Sequence, residues 1–216
     1  MKYSAVLFDL DGTLLDTLKD IADSVNSALG HLGFPQHELE AYKYFIGDGR
    51  EALAIHALPE HHRKAVTVDK LVTYINEEYP KRWVNNTCPY QGVPNLLDAL
   101  TSSGIKMAIL SNKQHSFTEL MVSRLLPRWR FELVVGALPS VPKKPNPTAA
   151  LQIAQRLNIR PLEFLYLGDS DVDMKVATAA DMYPVGALWG FRTADELLSS
   201  GARALIQQPT DLLHLL

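Results

Sequence analysis

Residues 3–17 read YSAVLFDLDGTLLDT, and the reading of this stretch decides the fold. The apolar run Ala5 to Leu10 has the length of a buried strand, yet it carries Asp9, meets Asp11 and turns through Gly12 and Thr13. Carboxylates at the end of a buried strand cost free energy unless something compensates them. A strand that ends this way is expected to deliver its acids to a site.

Four further apolar runs of strand length follow: Ile105 to Leu110, Leu133 to Val135, Phe164 to Leu167 and Pro184 to Leu188. Each is nearly continuous rather than alternating, as in parallel strands covered on both faces. Helical spacing fills the gaps. Leu96, Leu97 and Leu100 precede Gly104; Phe117, Leu120, Met121 and Leu125 form a second stripe; Ala150, Ile153, Ala154 and Leu157 form a third. Alternating strands and helices predict an α/β fold with a Rossmann-like parallel sheet core.

One interval breaks the rhythm. About ninety residues separate Leu10 from Ile105, where a crossover needs roughly a dozen or more. Leu18, Ile21, Ala22, Val25, Leu29 and Leu32 make one apolar stripe there, and Leu71, Val72 and Ile75 another. We therefore expect an inserted α-helical cap domain over residues 17–84, with 1–16 and 85–216 forming the core. Two chain crossings would make a hinge, and the insert would close over the end of the first strand.

Composition narrows the function classes. With 47% hydrophobic and 21% charged residues, the 216-residue chain can bury a sizeable core. A net charge of −3, with Lys and Arg dispersed, argues against a nucleic-acid partner. Cys88 is the only cysteine, so an internal disulfide is excluded and a reducing compartment fits. No stretch has the length of a membrane span, and the start is too acidic for a signal peptide, so the expected location is cytoplasmic.

In a parallel sheet, sites form beyond the carboxyl ends of the strands. Those ends offer Asp9 and Asp11, Ser111 and Asn112 in ILSNK, and Asp169, Asp171 and Asp173 in GDSDVD; the loop VPKKPNP adds Lys143 and Lys144. Oxygen ligands, a hydroxyl and a lysine on one rim suit a hard cation and a phosphate. Singly each piece is weak, since Ser-Asn caps helices and Gly-Asp-Ser makes turns. Their conjunction carries the reading.

DLDGTLLDT, LSNK, KPNP and GDSDVD, in this order, resemble the four motifs of the haloacid dehalogenase-like hydrolase superfamily. DLDGTLLDTLKDIADSVNSAL, FIGDGREAL, VGALWGFRTADEL and GARALIQQPTDLLHLL are further similar to the phosphoglycolate phosphatase-like branch, which carries a helical cap after the first motif. The resemblance implies an Mg²⁺-dependent phosphatase acting on a small phosphorylated metabolite such as phosphoglycolate. Asp9 would be the nucleophile that forms an aspartyl-phosphate, and Asp11 the acid and base. An acid at this second position points to phosphate chemistry and away from carbon–halogen cleavage. Ser111 and Asn112 would hold the substrate with Lys144, which the Pro-x-Pro spacing favours over Lys143. Asp9, the Asp11 carbonyl and Asp169 would bind Mg²⁺, with Asp173 ordering Lys144 or a water on the metal. Asp171 falls on a variable position.

Substrate choice would lie in FIGDGREAL. Gly47 and Gly49 allow a tight loop, and Arg50 could bind a substrate carboxylate or second phosphate; an ordinary helix turn with a solvated arginine is the competing reading. Arg50 and Glu51 also resemble the cap loop of β-phosphoglucomutases, which makes a phosphomutase the runner-up beside a pyrophosphatase. The non-enzymatic rival is a signalling module phosphorylated on Asp9. Monomer and homodimer are both open. Glu60, His61 and His62 are expected on a solvated face, Met121, Met174 and Met182 in the core, and Trp189 and Phe191 packed at a strand end. Cys88 is expected to be inert.

Overall fold

The computed structural model describes residues 2–216. The chain begins with β1 (Ala5–Phe8) and the two-residue β2 (Leu15–Asp16). It then enters a run of helices: α1 (Leu18–His31), α2 (Tyr42–Phe45), α3 (Arg50–Ala57) and α4 (Ala65–Arg82). β3 (Cys88–Pro89) follows. Helices and strands then alternate through α5 (Val93–Ser102), β4 (Lys106–Gln114), α6 (His115–Leu125), β5 (Leu133–Ala137), α7 (Thr148–Leu157) and β6 (Phe164–Gly168). The last elements are α8 (Asp171–Ala179), β7 (Tyr183–Ala187), α9 (Ala194–Ser199) and β8 (Ala204–Ile206). Among the described residues no helix is long and apolar enough to cross a membrane.

Two compact units emerge, one of Met1–Leu15 with Pro89–Leu216 and one of Asp16–Cys88. The first unit is built on a six-stranded sheet of order β5-β4-β1-β6-β7-β8, parallel at every pairing. β1 lies in the middle. The chain goes from it to β4 and β5 on one side, then crosses to β6, β7 and β8 on the other. This reversal opens a crevice at the carboxyl end of β1.

Why β1 takes the centre is visible in its side chains: Ala5, Val6, Leu7 and Phe8 are all fully buried. Alternate residues face opposite sides of the sheet. On one side Ala5 and Leu7, Ala108 and Leu110, and Phe164 and Tyr166 meet α7 and α8. Those helices present Ala149, Ala150, Ala154 and Ala177, small side chains that let helix and sheet approach closely. Met121, Met174 and Met182 are buried, as expected. β8 is too short to show in the sequence as a strand, and β4 runs four residues beyond its expected end.

The second unit is all-helical. α1 buries its stripe of Leu18, Ile21, Val25 and Leu29, and α4 buries Val68, Leu71 and Ile75. Ser27 on α1 donates to Glu78 on α4 at 2.8 Å. Asp20, in the first turn of α1, accepts hydrogen bonds from the Asn86 and Thr87 amides and from both of their side chains. The outgoing helix and the returning strand are thereby tied together. Glu60, His61 and His62 form one exposed 3₁₀ turn.

Candidate active site

Asp9 follows β1, and its N–H donates to Leu167 O at 2.9 Å, so the sheet ladder itself aims the residue. Asp169 follows β6, the neighbouring strand, and Asp173 sits one turn into α8. One carboxylate oxygen from each of the three lies within 4.8 Å of the others, and all three residues are buried. Lys144 enters from the loop before α7, with its Nζ 2.8 Å from Asp9 Oδ1 and 2.7 Å from Asp173 Oδ1. Lys143 is exposed.

Each member is mounted. Asp169 Oδ1 accepts from the Thr13 hydroxyl at 2.8 Å and Oδ2 from the Phe191 N–H at 2.8 Å. The Trp189 indole N–H reaches Thr13 O at 3.0 Å, so the loop after β7 braces the loop after β1. Gly12 (φ +83°) and Gly190 leave room for Asp169; a Cβ on either would lie 2.3 Å or less from it. Asp173 closes the capping box of α8 on Ser170, whose hydroxyl and N–H both bond Oδ2. Its Oδ1 takes Lys144 and the Tyr166 hydroxyl. The Asn112 amide clasps the Lys144 backbone from both ends, at 3.0 and 2.8 Å.

Crowding sets the electrostatics. Burial pushes the Asp9 carboxyl well above its usual range and Asp173 adds to this, while Lys144 pulls it back. Asp169 is pushed up to about 7, by burial first and Asp173 second, against the Phe191 and Thr13 hydrogen bonds. Burial would discharge Lys144, but Asp173 and Asp9 outweigh it and hold the ammonium form. Three carboxylates against one ammonium leave an excess of negative charge with little water to screen it. The donors facing one another are all oxygens, and Asp9 Oδ1 accepts no well-aligned hydrogen bond. A hard divalent cation fits this set. Asp173, whose two oxygens each serve two donors, fits as the mount of Lys144.

The remaining expected residues fall as follows. Asp11 holds both carboxylate oxygens at 3.0–3.1 Å from Lys113 Nζ, a lysine to which the sequence assigned nothing. Ser111 is buried, and its Oγ accepts from the Lys113 N–H at 3.2 Å. Asp171 turns away to pair with Lys175. Gly49 (φ +89°) and Arg50 belong to the helical unit, where Gly49 caps α3 and the Arg50 guanidinium donates to Asn76. Arg50 is therefore held by its own unit. Thr13, Tyr166, Ser170 and the Phe191 N–H escaped the sequence reading. Of these only Ser170, three residues before Asp173, had a legible signal, the capping-box spacing. Trp189 and Phe191 do more than close a strand end, since each fixes a site residue.

A family model described as haloacid dehalogenase-like hydrolase matches residues 6–187. The phosphoglycolate phosphatase of Aquifex aeolicus (strain VF5) is 33% identical over 211 residues, spanning 98% of this chain and 95% of its own. That of Xanthomonas campestris pv. campestris (strain 8004) is 32% identical over 209 residues, with 96% and 94% covered. A crystal structure from Lactobacillus delbrueckii subsp. bulgaricus, assigned provisionally to the phosphoglycolate phosphatases, superposes with a TM-score of 0.93 at 25% identity. The match covers 100% of this chain and 98% of that one.

Proposed function

We propose that this chain, which belongs to the haloacid dehalogenase-like hydrolases and hydrolyses phosphoric monoesters, does so through a phosphorylated Asp9 with Mg²⁺ as its cation. Phosphoglycolate is the substrate we favour, because curated relatives 33% and 32% identical to this chain are phosphoglycolate phosphatases. The observation that carries the reading is the buried cluster of Asp9, Asp169, Asp173 and Lys144 at the ends of β1 and β6.

In the first displacement Asp9 attacks phosphorus; the bond to the leaving oxygen breaks, and that oxygen takes a proton from Asp11. In the second, Asp11 removes a proton from water, which attacks phosphorus and returns the Asp9 carboxylate with inorganic phosphate. Lys144, held by Asp173 and by the Asn112 clasp, offsets charge on Asp9 and on the transferring group. The Ser111 hydroxyl accepts from Lys113 and keeps its own O–H for a phosphoryl oxygen. Asp9, Asp169 and the Asp11 carbonyl would hold the cation, which supplies charge neutralisation for the acids and the phosphoryl oxygens. We read Asp16–Cys88 as the cap, with Gly49 and Arg50 selecting the substrate's second anionic group, and the cytoplasm as the site of action.

The test is phosphate release from a panel of phosphomonoesters, pyrophosphate and hexose phosphates, with Mg²⁺ and with EDTA. Chelation should lower turnover by about 100-fold or more, and phosphoglycolate should exceed a simple alkyl phosphate in kcat/KM. Interconversion of hexose phosphates without phosphate release would replace this reading by a mutase. A stable phospho-Asp9 without turnover would replace it by a signalling module.

Metal binding should also show in stability. Asp169 titrates near 7 in the metal-free fold against 3.8 ordinarily, so the folded chain keeps a proton that the unfolded chain has lost. Metal-free stability must then fall as pH rises from about 4 to about 7. Mg²⁺ competes with that proton. Its effect on Tm should be near zero at about pH 5 and a rise of about 4 °C at about pH 8; an equal shift at both values would contradict metal binding at these acids.

A further inference from the structure

We infer that Lys113 is a positioning residue for the reaction, setting the Asp11 carboxylate and the Ser111 hydroxyl together. The inference rests on the reading of Asp11 as proton donor and acceptor. It starts from an irregularity in the sheet. β4 pairs with β5 at Leu110↔Val135 and next at Gln114↔Ala137, so Ser111, Asn112 and Lys113 stand opposite Gly136 alone. A regular strand would send Ser111 and Lys113 to one face and Asn112 to the other. Bulges re-aim side chains, and they recur beside active sites.

Here all three residues of the bulge are put to use. Asn112 holds the Lys144 backbone. The Lys113 N–H fixes the Ser111 oxygen, while its ammonium grips both oxygens of Asp11. No other hydrogen bond to the Asp11 carboxylate is seen among the described residues. An aspartate side chain has two rotatable bonds, and a proton donor must meet the leaving oxygen within hydrogen-bond reach. Misplacement by about 1 Å can cost about 100-fold in rate. A two-point ion pair removes that freedom.

The mount of Lys113 is itself rigid. Its carbonyl oxygen accepts from the Thr118 hydroxyl on α6 at 3.3 Å. Gly136 passes so close that a Cβ there would lie 2.7 Å from the same oxygen and 2.6 Å from the His115 Cα. The pair is also withdrawn from water, with the Lys113 and Asp11 side chains 8% and 11% exposed. A buried ion pair is poor evidence of a stabilising role, because desolvation consumes most of the attraction. A positioning role explains what stability does not.

The test compares Lys113→Met and Lys113→Arg with the unaltered enzyme on two substrates, an alkyl phosphate, whose leaving oxygen needs the proton, and p-nitrophenyl phosphate, whose leaving group departs without it. The value of kcat/KM reports the first displacement. In Lys113→Met it should fall by about 30-fold or more for the alkyl ester and by less than about threefold for the aryl ester, with Tm lowered by no more than a few degrees. Lys113→Arg, which keeps two donors, should recover most of the alkyl rate. Equal losses on both substrates, or a rise in KM on both with kcat unchanged, would overturn the inference and make Lys113 a general charge or a substrate contact. If Asp11→Asn also leaves the alkyl rate intact, the reading of Asp11 fails, whatever Lys113 does.

Discussion

Asp9→Asn is expected to remove phosphate release almost completely, by about 10⁴-fold or more, while the protein stays folded. An amide fills the same space and keeps an oxygen towards Lys144, but it cannot attack phosphorus. Stability should move the other way. Asp9 carries a carboxyl whose ionisation burial and Asp173 oppose, so neutralising it relieves repulsion in the metal-free state. Metal-free Tm at about pH 8 should be no lower than that of the parent, and no covalent phosphate should be found on intact protein after brief mixing with substrate. Residual turnover within tenfold of the parent would refute Asp9 as nucleophile.

Asp20→Ala should give the largest loss of stability without touching the acid cluster. Asp20 is 1% exposed, and its carboxylate accepts the Asn86 N–H at 2.9 Å, the Asn86 side chain at 2.7 Å and the Thr87 N–H and hydroxyl at 2.8 Å each. Alanine leaves two backbone donors without this partner, that of Thr87 in a buried residue and that of Asn86 in an exposed one. Each such donor costs roughly 1–3 kcal/mol, which makes a loss of about 3 kcal/mol and a Tm lower by about 6–12 °C. Burial alone would raise the Asp20 pKa, yet the Asn86 and Thr87 donors outweigh it and hold it below the ordinary range. The sign follows: this contribution is present above the ordinary carboxylate pKa and is lost as pH falls below it. A thermal melt of Asp20→Ala matching the parent would mean that the tie contributes nothing.

Much of this architecture could be read from residue order because burial on both faces leaves an unbroken apolar signature. β1, β6 and β7 stand within a few residues of the runs that announced them. The acids at their ends could be read because they recur together after several such runs, where any one alone would pass for a cap or a turn. Contacts made by the main chain could not. The Phe191 N–H that holds Asp169 would be present whatever side chain stood there, and nothing in WGFRT says where its amide points. Lys113 was hidden differently. Its neighbours in LSNK were legible as a motif, but its aim depends on the two extra residues of the β4 bulge, and a bulge shows only when both strands are seen. Nothing local to α1 marks Asp20, because its partners lie 66 and 67 residues away.

The central place of β1 has a consequence for how each molecule comes into being. Asp9 is made about 180 residues before Phe191, the amide of which steadies its neighbour Asp169. At bacterial and eukaryotic synthesis rates that delay is roughly 10–40 s. Until β4 and β6 are made, both edges of β1 lack neighbours, which makes that interval the period in which this polypeptide most needs shielding from aggregation.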